Sequence, residues 1–484
     1  MDDHPGTRAE PSPMTGHQIL TLTVGQMSHG GHCVARHEGR VVFVRHAVPG
    51  ETVRAVVTDG TSSSRFWRAD AVDVLDASDH RRRHPWKQAD ALRAYDHGQP
   101  PVGGADYGHI TDIHQRRLKS QVFRSTMQRI GGIDITTLDT EHMGPEGDLT
   151  VEHLPGTDAA GMHWRTRASF SVSGGSLAMK PSRSHELIPL RSMPLAVESV
   201  GASGIFSWSF AGARSVDVVA PGGDQPLALV VRLEGASDSE AAAGLERRLL
   251  DLADSTPGIA SIILASERAS ARKPRRYNQL QPALIDYRVL TGEPTIEEPL
   301  PTPVNGRAAV TLAPEGFWQI HRSAPSALVS TVDRMAQLPP GGSAIDLYAG
   351  AGLFTAWAAS RTGPAGQVLS VEAASPTSDA ARALFAGMSH VEVVQATAES
   401  TASRLTTTDL VVLDPPRAGA DKRVLTGIDA ANPGQIIYVS CDPASFARDA
   451  KALCDLGWVL KDIALLDLYP NTHHMESVAL FERS

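Results

Sequence analysis

Cys441 is the side chain of this chain best suited to nucleophilic chemistry. It follows the apolar, β-branched run Ile436-Ile437-Tyr438-Val439 and Ser440, and Asp442-Pro443 stops the run one residue later. The pattern predicts a buried strand with a cysteine at its carboxyl end. In open α/β sheets that edge is where ligands bind. Glu476 follows Asn471-Thr472-His473-His474-Met475 and precedes the apolar run Val478-Ala479-Leu480-Phe481. Asp414-Pro415-Pro416-Arg417 ends another strand. A nucleophile and a base with separate tasks suit one reaction in particular. Uracil C5 is a poor nucleophile, but thiolate addition at C6 makes it enolate-like. It can then take a methyl group from a sulfonium, after which a base removes the C5 proton and the thiolate leaves. Cys441 supplies the nucleophile in this scheme and Glu476 the base. Arg417 favours the thiolate or the charge developing on the ring, and Asp414 orients the base.

A cradle for the donor lies upstream. Asp346 ends a strand, Gly350 and Gly352 make a turn, and Leu353-Phe354-Thr355-Ala356-Trp357 opens a helix. The next strand, Val368-Leu369-Ser370-Val371, ends in Glu372, a carboxylate placed to accept hydrogen bonds from ribose hydroxyls. The turn alone fits either a dinucleotide or S-adenosylmethionine. The Asp-x-x-x-Gly-x-Gly spacing, together with Asp414-Pro415-Pro416-Arg417, favours the methyl donor.

The elements that must position these groups are legible more coarsely. The chain has 484 residues, 42% hydrophobic and 20% charged, which fits a globular protein of two or three domains. No apolar run is long enough to span a membrane, and the polar N-terminus lacks the apolar core of a secretory signal. Cys33, Cys441 and Cys454 are the only cysteines, too few for a disulfide framework, so the expected location is cytoplasmic. The formal net charge of -9 does not favour nucleic acid. Local basic runs at Arg81-Arg82-Arg83, Arg116-Arg117-Leu118-Lys119 and Arg272-Lys273-Pro274-Arg275-Arg276 nevertheless permit it. Residues 1–15 read as a disordered leader. Residues 16–77 read as a small β-barrel, with Gly30-Gly31, Cys33 and Arg36 in a loop before its second strand. Residues 78–300 read as an α+β domain. Within it, Asp112 to Ile130 forms a helix whose Ile113, Leu118, Val122, Met127 and Ile130 share a face. Residues 301–484 read as a doubly wound α/β domain. His473 and His474 lack a suitably spaced third ligand, so no metal is expected.

Taken together these residues resemble the S-adenosylmethionine-dependent RNA 5-methyluridine methyltransferases. Gly30-Gly31, Arg36, Gly39-Arg40-Val41-Val42-Phe43-Val44 and Pro49-Gly50-Glu51 resemble that family's N-terminal TRAM barrel, an RNA-binding module. Phe317-Trp318-Gln319 resembles the segment whose glutamine contacts the donor, and Asp346 to Thr355 the donor loop, with Tyr348 at a contacting position. Ser440-Cys441-Asp442-Pro443 and His474-Met475-Glu476-Ser477 resemble the nucleophile and base segments. The resemblance implies a TRAM barrel, a central α+β domain and a class I methyltransferase domain. It implies S-adenosylmethionine held by Gln319, Tyr348, Gly350, Glu372 and Asp414, Cys441 and Glu476 as catalytic pair, and Arg417 and Arg36 toward the RNA. A monomer acting on ribosomal or transfer RNA follows from the same source. Many members carry cysteines after the barrel that hold an iron–sulfur cluster. Asp79 to His114 has none here, and no such cluster is expected. Asp442 stands where asparagine is commoner. The rival readings are RNA cytosine C5 methylation and a catalytically silent RNA-binding protein.

Overall fold

The computed structural model describes residues 18–144, 147–235, 237, 239–267 and 285–483. The leader at 1–15 and the basic run at 272–276 lie outside the described residues. The chain divides into two compact units. The first takes the chain up to Leu118 with 180–188 and 470–473; the second takes 119–179, 189–469 and 474–484. These bounds cut across the expected breaks after 77 and 300, because the middle of the chain supplies elements to both units.

In the first unit β1 (Ile19–Thr23), β2 (Met27–Ser28), β3 (His32–His37), β4 (Arg40–Arg45), β5 (Thr52–Asp59) and β6 (Phe66–Asp76) form one sheet in the order β1-β5-β6-β4-β3-β2. The chain leaving β1 turns over to bond β3. Gly25 N–H donates to Val34 O at 2.8 Å, and Val34 N–H to Gln26 O at 3.0 Å. The sheet thereby closes into a barrel, which removes its open edges. Its interior is built from alternate small residues: Ala35, Val42, Val44, Val53, Ala55, Ala69 and Ala71 are buried.

Arg36 and Cys33 lie on β3 rather than in a loop. The turn Glu38-Gly39 has φ of 48° and 80°, the two-residue hairpin geometry that matches strand twist. β3 escapes the sequence because His32, Arg36 and His37 interrupt its apolar alternation. Several basic residues also prove to be internal struts. Arg81 grips the buried Glu51 at 2.6 and 2.7 Å. Arg82 donates to Asn471 Oδ1 at 2.6 Å. Arg45 binds Asp70 through two 2.7 Å bonds, and Tyr95, on α1 (Ala91–Asp96), donates to the same carboxylate at 2.8 Å. Such fully used charges stabilise only while both partners stay ionised.

The second unit begins within α2 (Asp112–Thr126), which ends in a π turn at Met127–Gly131 and a left-handed Gly132. Leu118, Val122 and Met127 are buried as expected, but Ile113 and Ile130 are 77% and 39% exposed. Ile113 lies five residues before Leu118, about 140° away around a helix. The π turn adds a residue and rotates Ile130 off the buried face. Next come β7 (Val151–Glu152), β8 (Arg167–Ser173), β9 (Ser176–Met179), β10 (Ile188–Pro189), α3 (Glu198–Ala202), β11 (Ala213–Val219), β12 (Leu227–Leu233), α4 (Glu240–Ser255), β13 (Ile259–Glu267) and β14 (Ile285–Thr291). A seven-stranded sheet runs β10-β9-β8-β11-β12-β13-β14. Ser239 caps α4 by accepting from Ala242 N–H.

A hairpin of β15 (Ile296–Val304) and β16 (Arg307–Leu312) leads into α5 (Ala324–Met335). Then β17 (Ser343–Leu347), α6 (Leu353–Thr362), β18 (Gln367–Glu372), α7 (Ser375–Leu384), β19 (Val391–Gln395), α8 (Ala398–Thr401), β20 (Leu410–Leu413), α9 (Lys422–Ala431), β21 (Gln435–Ser440), α10 (Pro443–Asp455), β22 (Trp458–Leu466) and β23 (Glu476–Arg483) complete the chain. The sheet order is β19-β18-β17-β20-β21-β23-β22-β7. β17 through β21 are parallel, and β23 enters antiparallel between β21 and β22. Alternation sorts the side chains onto two faces. Ala344, Val412, Ile437 and Val439 pack toward α5, α6 and α7, whereas Ile345, Val411, Ile436 and Tyr438 pack toward α9, α10 and the π turn. Helices on both faces make this the expected doubly wound α/β domain.

The first unit also buries neutral histidines. Neither ring nitrogen of His46 has a hydrogen-bond partner. Burial holds His32 and His46 down at about 4 and lowers His84 and His109. A group depressed in the folded state binds more protons when unfolded, so stability is lost as pH falls from about 6.5 toward 4. The melting temperature of this unit should drop between pH 7.5 and 5. His46→Asn suits the positive φ of 61° and should flatten that dependence. An unchanged slope would remove His46 from the account.

Candidate active site

The site lies along the carboxyl ends of β18, β17, β20 and β21, neighbours in that order. Asp346 is buried on β17. One of its oxygens accepts the Thr355 hydroxyl at 2.6 Å, and that hydroxyl lies 2.9 Å from the Ser370 hydroxyl. The other oxygen, Oδ1, is buried without a hydrogen-bond partner. Burial raises this carboxyl to about 7, against the Thr355 hydrogen bonds. The chain then turns sharply. Tyr348 sits at φ 62°, a strained conformation for a bulky residue, and its hydroxyl donates to Glu399 at 3.4 Å. Gly352 needs its identity: its φ is 94°, and a Cβ there would meet the Phe385 ring at 2.7 Å.

Glu372 ties the turn to the next strand. It accepts Gly350 N–H at 2.9 Å and Ala374 N–H at 2.6 Å. A carboxylate has about four acceptor positions, so two bonds leave room for ribose hydroxyls. An orphaned acceptor, a tight glycine turn and a part-filled carboxylate fit an adenosyl group with an amino-acid tail. Gln319 comes from a separate segment between β16 and α5 and is half-buried. It makes no hydrogen bond to these strand-end groups. Arg36 is exposed on β3, in the other compact unit.

The reactive groups cluster one strand further on. Cys441 follows β21 and is half-buried. Its neighbour Asp442 is not a free charge: its Oδ1 accepts Ala444 N–H at 3.0 Å and Ser445 N–H at 2.8 Å, capping α10. Glu476 opens β23. The antiparallel register pairs Ser440 with Ser477, so the next step along each strand sets Cys441 beside Glu476. The expected base is thus buried, not a surface carboxylate. Burial pushes the Cys441 thiol up to about 12; the Glu476 and Asp414 carboxylates push the same way, and Arg417 opposes them. Burial, then Asp414, drives Glu476 well above the usual carboxylate range; the Tyr469 hydroxyl and Arg417 act against this. Asp414 is raised to about 7 by burial and then by Asp346. Arg417 is exposed on the loop after β20. That loop is anchored at Ala420 N–H, which donates to Asp449 of α10 at 2.8 Å.

The sequence did not single out Tyr469, whose hydroxyl donates to Glu476 Oε2 at 3.3 Å. It also missed Arg165, whose charge is disfavoured by burial and by Arg417 while Tyr469 favours it. β22 ends at Leu466 and β23 begins at Glu476, so Tyr469 lies in the connection between them. Among the described residues no three His, Cys, Asp or Glu are placed to hold a metal ion.

Comparison with known proteins identifies the relatives of this chain. Residues 335–484 match the family described as tRNA (Uracil-5-)-methyltransferase, and residues 15–72 match the TRAM domain. An uncharacterized RNA methyltransferase of Streptomyces avermitilis is 34% identical over 95% of this chain and 97% of its own. The 23S rRNA (uracil(1939)-C(5))-methyltransferase RlmD of Shewanella denitrificans is 26% identical, with 96% of each chain covered. A solved structure, the Pyrococcus abyssi tRNA (uracil-54, C5)-methyltransferase with S-adenosyl-L-homocysteine, superposes with a TM-score of 0.65 at 18% identity. It covers 95% of this chain and 99% of that one.

Removing the Glu372 carboxylate should loosen the turn and the donor together. A hydrogen bond to a charged group contributes about 1.5–3 kcal/mol. Glu372→Ala should therefore weaken S-adenosylhomocysteine binding at least about tenfold by calorimetry, and unchanged binding would contradict the assignment. With the site's geometry and its relatives in hand, the chain belongs to the S-adenosylmethionine-dependent RNA 5-methyluridine methyltransferase family with an N-terminal TRAM domain.

Proposed function

We propose that this chain methylates C5 of a uridine in structured RNA, ribosomal or transfer, through a covalent bond between Cys441 and C6. The observation that carries this reading is the pairing of a half-buried thiol and a buried carboxylate at facing ends of β21 and β23. Cys441 reacts as the thiolate, its proton released to solvent; the sulfur gives an electron pair to C6, and the C5–C6 π pair moves toward C5 and O4. Arg417 is the cation that favours the thiolate and answers the charge on the ring. S-adenosylmethionine, when bound, would supply an electrophilic methyl group to the electron pair at C5, its sulfonium–methyl bond breaking to leave S-adenosylhomocysteine. The Glu476 carboxylate then takes the C5 proton. That electron pair re-forms the C5–C6 double bond, the C6–S bond breaks, and Cys441 leaves as thiolate. Asp414, at the adjoining strand end, orients the uracil through its polar edge in this reading. A ring that must be reached on both faces is flipped out of any stack. The uracil C5 activity in the name of the Shewanella denitrificans relative supports the substrate class.

Two variants test this on total RNA from a strain lacking the protein, with labelled S-adenosylmethionine. Cys441→Ala should keep donor binding and lose methyl transfer to the detection limit. Glu476→Gln should form the adduct but not resolve it, giving a denaturation-resistant protein–RNA band. Substantial turnover by the alanine variant would refute the covalent route.

A further inference from the structure

A buried lysine–aspartate pair stands outside the chemistry described so far. Lys119 Nζ lies 2.6 Å from Asp467 Oδ1, and neither side chain has any exposed surface. The same ammonium donates to the main-chain oxygen of Tyr469 at 3.0 Å. A pair so deeply buried is weak evidence of net stabilisation, because desolvation opposes the Coulomb gain. Its placement two residues before Tyr469 points elsewhere. The Tyr469 ring is held edge-on between Trp164, with ring centroids 6.3 Å apart, and His474, 5.8 Å apart. Its hydroxyl then reaches Glu476 Oε2 at 3.3 Å. Backbone, ring and hydroxyl are thus each held by a different group.

We propose that Tyr469 is the positioning residue for the Glu476 base, and that Lys119 and Asp467 pin the backbone from which it reaches. This inference rests on the reading of Glu476 as the group that takes the C5 proton. A hydroxyl that donates to Oε2 occupies that oxygen and leaves Oε1 to take the proton. It also favours the ionised form, which alone can act as base. Four other elements bring groups to this spot. Asp414 from the end of β20 opposes ionisation, Arg417 from the following loop favours it, Cys441 follows β21, and Arg165 faces Tyr469 from the segment before β8. Tyr469 itself stays protonated, because burial and the surrounding acids raise it well above its ordinary range.

Single-turnover kinetics on deletion-strain RNA, with adduct formation and resolution followed separately across pH, test the proposal. Tyr469→Phe keeps the ring packing and removes only the hydroxyl. Adduct formation should be near normal, and resolution at pH 7 should slow about tenfold, the scale of a hydrogen bond to a charge. The acidic limb of resolution should move to higher pH, because the base loses the donor that favours its ionised form. Resolution and limb matching the parent would overturn the proposal. Replacing the pair by Lys119→Met with Asp467→Leu avoids an unpaired buried charge and should slow resolution in the same way. Normal resolution in that variant would overturn the pin. Glu476→Gln serves as the reference. If it traps adduct while Tyr469→Phe behaves as the parent, only this proposal fails. If no adduct forms with either, the reading of Glu476 fails.

Discussion

The site depends on the register of β23 against β21. A parallel sheet delivers strand ends to one edge, so it can place Asp346, Asp414 and Cys441 side by side without further device. In the proposed reaction a base must approach the same ring, while the neighbouring parallel strand ends already carry these groups. Inserting β23 antiparallel solves this, because its first residue meets the last residues of β21. A slip of one residue would turn Glu476 to the other face of the sheet. The hydrogen-bonded ladder from Gln435 with Glu482 to Ser440 with Ser477 therefore sets the chemistry as well as the fold.

The second constraint is electrostatic. Three carboxyl groups and a thiol are poorly solvated, and Asp414 links them: Asp346 makes Asp414 harder to ionise, Asp414 does the same to Glu476, and Asp414 and Glu476 both do so to Cys441. Their protons belong to the cluster more than to single residues. Arg417 is the opposing charge that acts on both the thiol and the base, and it stands on an exposed loop. Such a balance is poorly suited to a resting nucleophile and well suited to one that ionises only when a ring with developing negative charge arrives. The anchoring of that loop through Asp449, which also accepts the Tyr438 hydroxyl at 2.6 Å, ties the cation to the strand that carries the cysteine.

Much of this was legible in the sequence for a physical reason. Parallel strands buried on both faces read as unbroken apolar runs, so β17, β18, β20 and β21 and the residues at their ends could be placed within a residue or so. Cys441, Asp414 and Glu372 stand at such ends, and Glu476 precedes the apolar run of β23. Polar strands were harder. β3 carries two histidines and an arginine that break its apolar alternation, so Arg36 reads as a loop residue although it lies on a strand. The π turn after α2 broke the helical phase and exposed Ile130. The two-residue β7 joined the large sheet at Leu465 and Leu466, a pairing too short and too distant in sequence to leave a pattern. Tyr469 and Lys119 were hidden for a different reason. Lys119 pairs with groups some 350 positions away, and Tyr469 reaches Glu476 only because the connection between β22 and β23 folds back on itself.

The most direct test of the central claim uses a ring whose C5 position cannot lose a proton. Transcripts of host ribosomal and transfer RNA genes made with 5-fluorouridine would accept the sulfur and the methyl group, and the adduct would then persist. Intact-mass and peptide analysis of the trapped complex should place one methylated fluoropyrimidine nucleotide on Cys441. Recovery of unmodified Cys441 from enzyme that methylates ordinary RNA in parallel would contradict the account.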